Sequence, residues 1–265
     1  MTALNDDVDI GVVIVTYNSE RLLKDLFGSL PLAIGDLSWR AVVVDNASAD
    51  ETVARVEQAG WCVESMGRNA GYAAGINRGV ACLPGARAIL VLNPDVLMSP
   101  GSVSLLYAAL ADGVGIAAPQ TRGFDGELHL TLRRRPSISR VIGAALLGAG
   151  IADRVGGFSE TVTDRRVYTT PRDVDWAVGA ALLVTRACSD AVGEWDESFF
   201  LYSEETDFCE RARGAGFRIR YVPNALVRHE GGGGIGQPYL RSMMMVNRVR
   251  HFRKMHAAPA TFVYW

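Results

Sequence analysis

The sequence predicts an α/β protein in which a mostly parallel central sheet is flanked by helices and a helical segment follows at the C-terminus. Three observations carry this. Short, unbroken runs of Val, Ile and Leu recur along the first half. Helical patterns separate them. Each run stops abruptly at polar, hydrogen-bonding residues. Strands covered on both faces by crossover helices read as continuous apolar runs rather than alternating ones.

The first run is Gly11 to Val15 (GVVIV), and it stops at Thr16-Tyr17-Asn18. A helical pattern follows with Leu22, Leu23, Leu26 and Leu30 on one face. The second run, Ala41 to Val44, stops at Asp45-Asn46-Ala47-Ser48, and a helix follows over roughly residues 50 to 59. The third, Ala88 to Leu92, stops at Asn93-Pro94-Asp95. One polar strand end reads as a surface turn. Three together point to a cleft, because open parallel sheets bind ligands outside the carboxyl ends of their strands. Between the second and third runs lies Asn69 to Gly79 (NAGYAAGINRG), whose Gly and Ala content permits close approach of a ligand to the backbone. Asn69 and Asn77 add side-chain amides. A dinucleotide-binding glycine fingerprint would follow the first strand, but Thr-Tyr-Asn-Ser stands there instead.

The bulk numbers fit this class. The 265 residues suffice for one large α/β domain or two small ones. A net charge of -2 gives no general pull toward nucleic acid. Cys62, Cys82, Cys188 and Cys209 form no C-x-x-C pair, which predicts reduced, buried thiols in a cytoplasmic protein. The acidic start MTALNDDVDI lacks a signal-peptide pattern, and the apolar stretch Val141 to Ala152 is too short to span a bilayer.

In Asn93-Pro94-Asp95, residues two apart in an extended segment point the same way. Pro94 pushes Asn93 toward that geometry. The pair then offers an amide oxygen and a carboxylate on one side, a donor set that suits Mg²⁺ or Mn²⁺ with water and substrate phosphates completing the shell. A plain turn is the equal alternative.

The second half supplies carboxylates. Asp175 to Thr185 (DWAVGAALLVT) reads as a further buried strand interrupted by Gly179. In Glu194 to Gly216, Ser203 reads as an N-cap, Glu204 and Glu205 fall in the first helical turn, and Gly214 or Gly216 ends the helix. The helix dipole favours the anion at that end, as a general base requires. Ordinary helix-end acids are the alternative. Tyr221 to Arg228 leads to His229, Glu230 and four glycines, which read as a mobile loop or a linker. Arg133-Arg134-Arg135 is either a solvated turn or a phosphate contact. From Pro238 onward, Leu240, Met243, Met244, Val246, Val249 and Phe252 alternate with Arg241, Arg248, Arg250, Arg253 and Lys254, as in an amphipathic helix with a basic face. Packing on the body, an anionic membrane surface and a dimer contact are its three readings.

Taken together, Val12 to Gly234 resembles the family-2 glycosyltransferases of the GT-A fold, and Asn69 to Asn77 is similar to their rhamnosyltransferase-like branch. The resemblance implies a Rossmann-like GT-A domain over 1–236, with a nucleotide-binding half at about 9–120, an acceptor-binding half at about 121–236, and a helical extension over 237–265. It implies a nucleotide site of Thr16, Tyr17, Asn18, Asp45, Asn46, Ser48, Asn69, Gly71, Asn77 and Asn93. Asn93-Pro94-Asp95 stands where the family carries its D-x-D motif, with Asn in the first place. Asp95 and His229 are then the ligands of Mg²⁺ or Mn²⁺. Phe200-Leu-Tyr202-Ser-Glu204-Glu205-Thr-Asp207 matches the family's acidic motif, so Glu205, beside Glu204, is the implied base. Asp207 is its competitor, because the family usually has Asp where Glu205 stands. Trp176, Gly179, Ala180 and Arg134 are the implied acceptor residues. The implied reaction is inverting transfer from a nucleotide-diphosphate sugar, a dTDP-deoxysugar such as dTDP-rhamnose or a UDP-sugar, to a hydroxyl of a cell-envelope glycan, a glycolipid or a small natural product. It is expected in the cytoplasm, with peripheral contact at the inner face of the plasma membrane as a further option. A nucleotidyltransferase would need a basic Gly-rich loop after the first strand, which is absent. A non-catalytic nucleotide-sugar binding module is the remaining alternative.

Overall fold

The computed structural model describes residues 7–147, 151, 158–229 and 238–256. The glycine run after Glu230 lies outside them, and so does most of the end of the apolar stretch that begins at Val141.

The first apolar run forms β1 (Val8–Thr16) and the second β2 (Trp39–Asp45), parallel to it with Thr16 opposite Asp45. Between them runs α1 (Leu23–Ile34). Leu23, Leu26 and Leu30 are buried as the period requires, while Leu22 precedes the helix and is exposed. Next come α2 (Thr52–Gln58), the edge strand β3 (Cys62–Ser65), α3 (Tyr72–Ala81) and β4 (Ala86–Leu92), which lies parallel to the other side of β1. The two faces of β1 enter different cores. Val13 and Val15 pack with Ala73 and Ile76 of α3, whereas Val12 and Ile14 pack with Leu26 and Leu30 of α1. The apolar run is continuous because neither face meets water.

The second half completes the sheet with β5 (Val96–Met98), β6 (Val114–Arg122), β8 (Arg172–Val174), β10 (Ala181–Thr185) and β11 (Arg218–His229). The order is β3-β2-β1-β4-β10-β6-β11-β5, with β8 also on β11. Strand β10 runs antiparallel between β4 and β6, and β11 is parallel to β6. The mostly parallel sheet flanked by helices is thus the GT-A arrangement that the sequence predicts.

The segment Asp175 to Thr185 is not one interrupted strand. Trp176–Ala177 (β9) pairs with Leu132–Arg133 (β7) in a separate two-stranded sheet, and the chain turns at Gly179 and Ala180 before entering the main sheet as β10. The glycines of the 69–79 segment serve chain packing. A Cβ at Gly75 or Gly79 would lie 2.6 or 2.3 Å from a Val15 or Val13 methyl, so these glycines let α3 lie against β1. The C-terminal segment is α8 (Pro238–Met255), but its buried face carries Asn247, His251 and Phe252 while Met244, Met245 and Val246 are exposed. Of the expected apolar stripe, Phe252 is buried and Leu240, Met243 and Val249 are partly buried, while Met244 and Val246 are exposed and the polar Asn247 and His251 take buried positions. All four cysteines are free as expected, yet only Cys188 and Cys209 are buried, because Cys62 sits on the edge strand and Cys82 at the end of α3. Among the described residues no helix is long and apolar enough to cross a membrane.

Candidate active site

Two clusters of polar residues lie at the carboxyl ends of the strands. The first joins β1, β2 and the turn before α3. Asp45 accepts hydrogen bonds from Thr16 Oγ1 (3.0 Å), Ser48 N (2.9 Å) and Ser48 Oγ (2.5 Å), and is 2% exposed. Asn18 N donates to Ser48 Oγ, and Asn18 Oδ1 accepts from Ala49 N. Asn46 donates to Gly71 O (3.1 Å) and accepts from Ala70 N, while Asn69 Oδ1 accepts from Gly71 N. Tyr17 stands beside this network with 53% exposure. Asn77 is set apart from it, its amide bridging to Trp195 and Glu197.

The second cluster lines a cavity of about 600 Å³. Asn93 and His229 belong to its wall, as do Tyr72, Arg133, Trp176, Gly179, Ala180, Glu204 and Glu205. Asn93-Pro94-Asp95 forms the tight turn between β4 and β5 rather than an extended segment. Asn93 N is anchored on Ala180 O at 3.0 Å. Antiparallel pairing of β5 with β11 sets His229 opposite Val96, which brings its Nε2 to 3.1 Å from Asp95 Oδ2. Among the described residues no group of three His, Cys, Asp or Glu assembles. A carboxylate and an imidazole at a strand end fit a Mg²⁺ or Mn²⁺ that takes its remaining ligands from water and phosphate oxygens.

Glu204 and Glu205 open α7 (Glu204–Gly214). Ser203 occupies the N-cap position but makes no side-chain cap. It and Tyr202 are both left-handed, with φ of 75° and 71°. Such non-glycine conformations cost about 1–3 kcal/mol each and persist where the surroundings fix them. Both carboxyls have one oxygen, Oε2, that is buried without a hydrogen-bond partner. Burial, reinforced by the charge of Glu205, pushes the Glu204 carboxyl well above the usual range. Burial raises Glu205 too, opposed by backbone N–H groups that include that of Gly179 and by the Arg133 charge. The helix dipole was expected to favour the anion, but desolvation outweighs it here. Gly179 sits so close that a Cβ there would lie 3.1 Å from Glu205 Cβ. Asp207, by contrast, is 0% exposed and ion-paired to Arg211 and Lys254, each at 2.7 Å.

Of the arginine cluster, Arg133 faces the cavity, its guanidinium bonded to Leu130 O and Leu132 O. Arg134 instead clamps the main chain at Ser159 and Thr161 (3.2 and 3.0 Å), and Trp176 donates to Arg134 O. Several wall residues escaped sequence reasoning. Tyr72 has a buried hydroxyl without a partner, near enough to Glu204, Glu205 and Asp95 for their charges, after burial, to hold it as the phenol. Arg140, Glu160, Trp195, Arg248 and His251 also line the cavity. Only the Gly71-Tyr72 step, beside the Asn-rich turn, carried a local signal.

The profile of Glycosyl transferase family 2 matches residues 11–160. The chain belongs to glycosyltransferase family 2. Its relatives place it in the rhamnosyltransferase-like branch. It is 32% identical over 233 residues to an N-acetylglucosaminyl-diphospho-decaprenol L-rhamnosyltransferase of Mycobacterium tuberculosis, an alignment covering 82% of this chain and 75% of that one. Solved structures share the fold at low identity. The mannosyltransferase PcManGT of Pyrobaculum calidifontis, in complex with GDP-Man and Mn²⁺, superposes with a TM-score of 0.63 at 14% identity, over 97% of this chain and 68% of that one. S. aureus TarS 1-349 in complex with UDP gives 0.60 at 16% identity, over 92% of this glycosyltransferase and 65% of TarS 1-349.

Proposed function

We propose that this family-2 enzyme is an inverting glycosyltransferase whose base is Glu205. The observation that carries this is the half-buried Glu205 carboxyl on the cavity wall, with one oxygen buried and unpartnered, on the same wall as His229 of the Asp95–His229 pair. In the reaction the acceptor hydroxyl attacks the anomeric carbon as the bond to the diphosphate oxygen breaks, and its proton passes to Glu205. Asp207 is not the base, because its two ion pairs close it off. Asp45, Asn46 and Tyr17 hold the base and ribose, with Thr16, Asn18, Ser48, Asn69 and Gly71 shaping that end. Asn77 is not part of that end, because its amide is taken up by Trp195 and Glu197. Asn93, Asp95 and His229 face the diphosphate, where Asp95 and His229 would hold a Mg²⁺ or Mn²⁺ that would supply charge neutralisation for the leaving group. Trp176, Gly179, Ala180 and Arg133 line the acceptor side, with Arg134 bracing the wall behind it.

Likeness to the rhamnosyltransferase supports a dTDP-deoxysugar donor, with UDP-sugars next, and a glycolipid acceptor. Arg133, Arg140 and Arg248 on the cavity wall suit an acceptor that carries phosphate. Such an acceptor places the enzyme at the inner membrane face.

The test is Glu205→Gln, with donor binding measured by calorimetry. Turnover is expected to fall about 10²–10⁴-fold at unchanged donor affinity. Survival of turnover refutes the assignment, and donor binding by the wild type without turnover on any acceptor identifies a binding module. Thermal shifts by dTDP and UDP should grow with Mn²⁺ in the wild type and lose that increment in Asp95→Ala and His229→Ala.

A further inference from the structure

The 195–203 segment leads directly into Glu204 and Glu205, and it contains no helix or strand of its own. Two elements grip it from outside. On one side, Tyr72 N at the start of α3 donates to Phe200 O at 2.8 Å, and Gly71 packs so tightly that a Cβ would lie 2.4 Å from the same oxygen. Further along the segment, α8 provides the grip. Asn247, 4% exposed, donates through Nδ2 to Leu201 O at 2.8 Å. Arg250 donates to Ser198 O. Lys254 reaches Asp196 and Asp207, each at 2.7 Å, with its ammonium 6.0 Å from the centre of the Phe199 ring.

These contacts explain two features that α8 would not have as a mere extension. Its buried face carries Asn247 beside His251 and Phe252, and Asn247 meets a main-chain carbonyl there. The consecutive left-handed residues Tyr202 and Ser203 begin one position after that carbonyl, where the chain must turn sharply to start α7. A backbone held in such a conformation needs fixed neighbours on both sides. We infer that α8 is a positioning element of the catalytic centre, in which Asn247 and Lys254 hold the Leu201–Ser203 turn and the first turn of α7 so that Glu204 and Glu205 project into the cavity. This rests on the reading of Glu205 as the base. The same helix also contributes Met244, Arg248 and His251 to the cavity wall, so its displacement would open the site.

The test uses the full-length chain with Asn247→Ala, Lys254→Met and Lys254→Arg. Ser38→Ala serves as a control for lost stability, because among the described residues Ser38 bonds to Asp9 and Ile10 at the start of β1, away from the cavity. Nucleotide diphosphate release is followed with dTDP-rhamnose, UDP-GlcNAc and GDP-mannose, each assay at a fixed interval below the variant's own Tm. In parallel, ¹³C-glutamate NMR follows the titration of the Glu205 carboxyl without any ligand. Asn247→Ala and Lys254→Met are expected to lower kcat at least tenfold with donor KM within twofold, and to move the Glu205 titration toward that of an ordinary glutamate. Lys254→Arg should recover most of the rate, and Ser38→Ala should leave both readouts unchanged. Should Asn247→Ala fail to fold, Lys254→Met decides, since its side chain lies partly at the surface. An unmoved Glu205 titration with kcat within twofold in these variants overturns the inference. A moved titration alongside full turnover by Glu205→Gln would instead uphold the positioning role and remove the base assignment.

Discussion

The two polar clusters at the strand ends differ in how their polar atoms are satisfied. Around Asp45, donors and acceptors are matched: Thr16, Ser48, Asn46 and Gly71 close a network in which a buried carboxylate accepts three hydrogen bonds, one from Thr16 and two from Ser48. Around Glu205, Tyr72, Glu204 and Glu205 each leave an oxygen buried and unmatched. Unmatched buried polar groups cost stability. A fold that keeps three of them beside one cavity holds them for something other than its own stability, whereas the Asp45 cluster is a finished scaffold. Substitutions should therefore separate the two regions, lowering stability and donor affinity in the first and kcat in the second.

The largest expected effect lies in the second region, where Glu205→Gln should cut kcat by about 10²–10⁴ without lowering Tm. Asp45→Ala should instead remove a buried charged hydrogen-bonding group for a loss of about 2–3 kcal/mol, read as a drop in Tm, and weaken donor binding, read as a raised donor KM with kcat changed little. Equal rate losses in the two variants would break the contrast. Gly179→Ala places a methyl 3.1 Å from Glu205 Cβ. It should lower kcat by about tenfold, equivalent to about 1.4 kcal/mol, with donor affinity unchanged in calorimetry. The smallest effect sharpens the contrast most. Burial and the Glu205 charge raise the Glu204 carboxyl in the folded state. Between its unfolded and folded values the folded chain binds the extra proton, so stability falls as pH rises through that window. Glu204→Gln should thus raise Tm by a few degrees at pH 7.5, where about 1 kcal/mol corresponds to 2–4 °C, and the gain should shrink toward pH 4.5. The acid limb of kcat should lie above the ordinary glutamate range, because Glu205 must lose its proton to act and burial resists this.

The parallel half of the sheet was legible because its strands are covered on both faces and their apolar runs end where the sheet ends. Glu205 and His229, which line the same cavity, were picked out from local patterns and a resemblance. Arg133 was not separable from Arg134, since only the pairing of β7 with β9 decides which of two neighbours faces the cavity. The break at Gly179 was visible as a glycine but not as a change of sheet, because that depends on Thr131 and Ala180 accepting hydrogen bonds from distant residues. The face of α8 misled in the same way. Its methionines suggested an apolar seam, yet its polar contacts run to two main-chain carbonyls and to the carboxylates of Asp196, Asp207 and Glu160, which no periodicity records.

Strand β10 has a consequence for biosynthesis. It fills the position beside β4, yet it comes from much later in the chain. While the ribosome makes the intervening residues, β4 presents an open apolar edge for roughly 5–20 s at ordinary elongation rates. Edges of that kind recruit other chains. The nascent chain therefore carries an unpaired β4 edge until Ala181–Thr185 is available to pair with it.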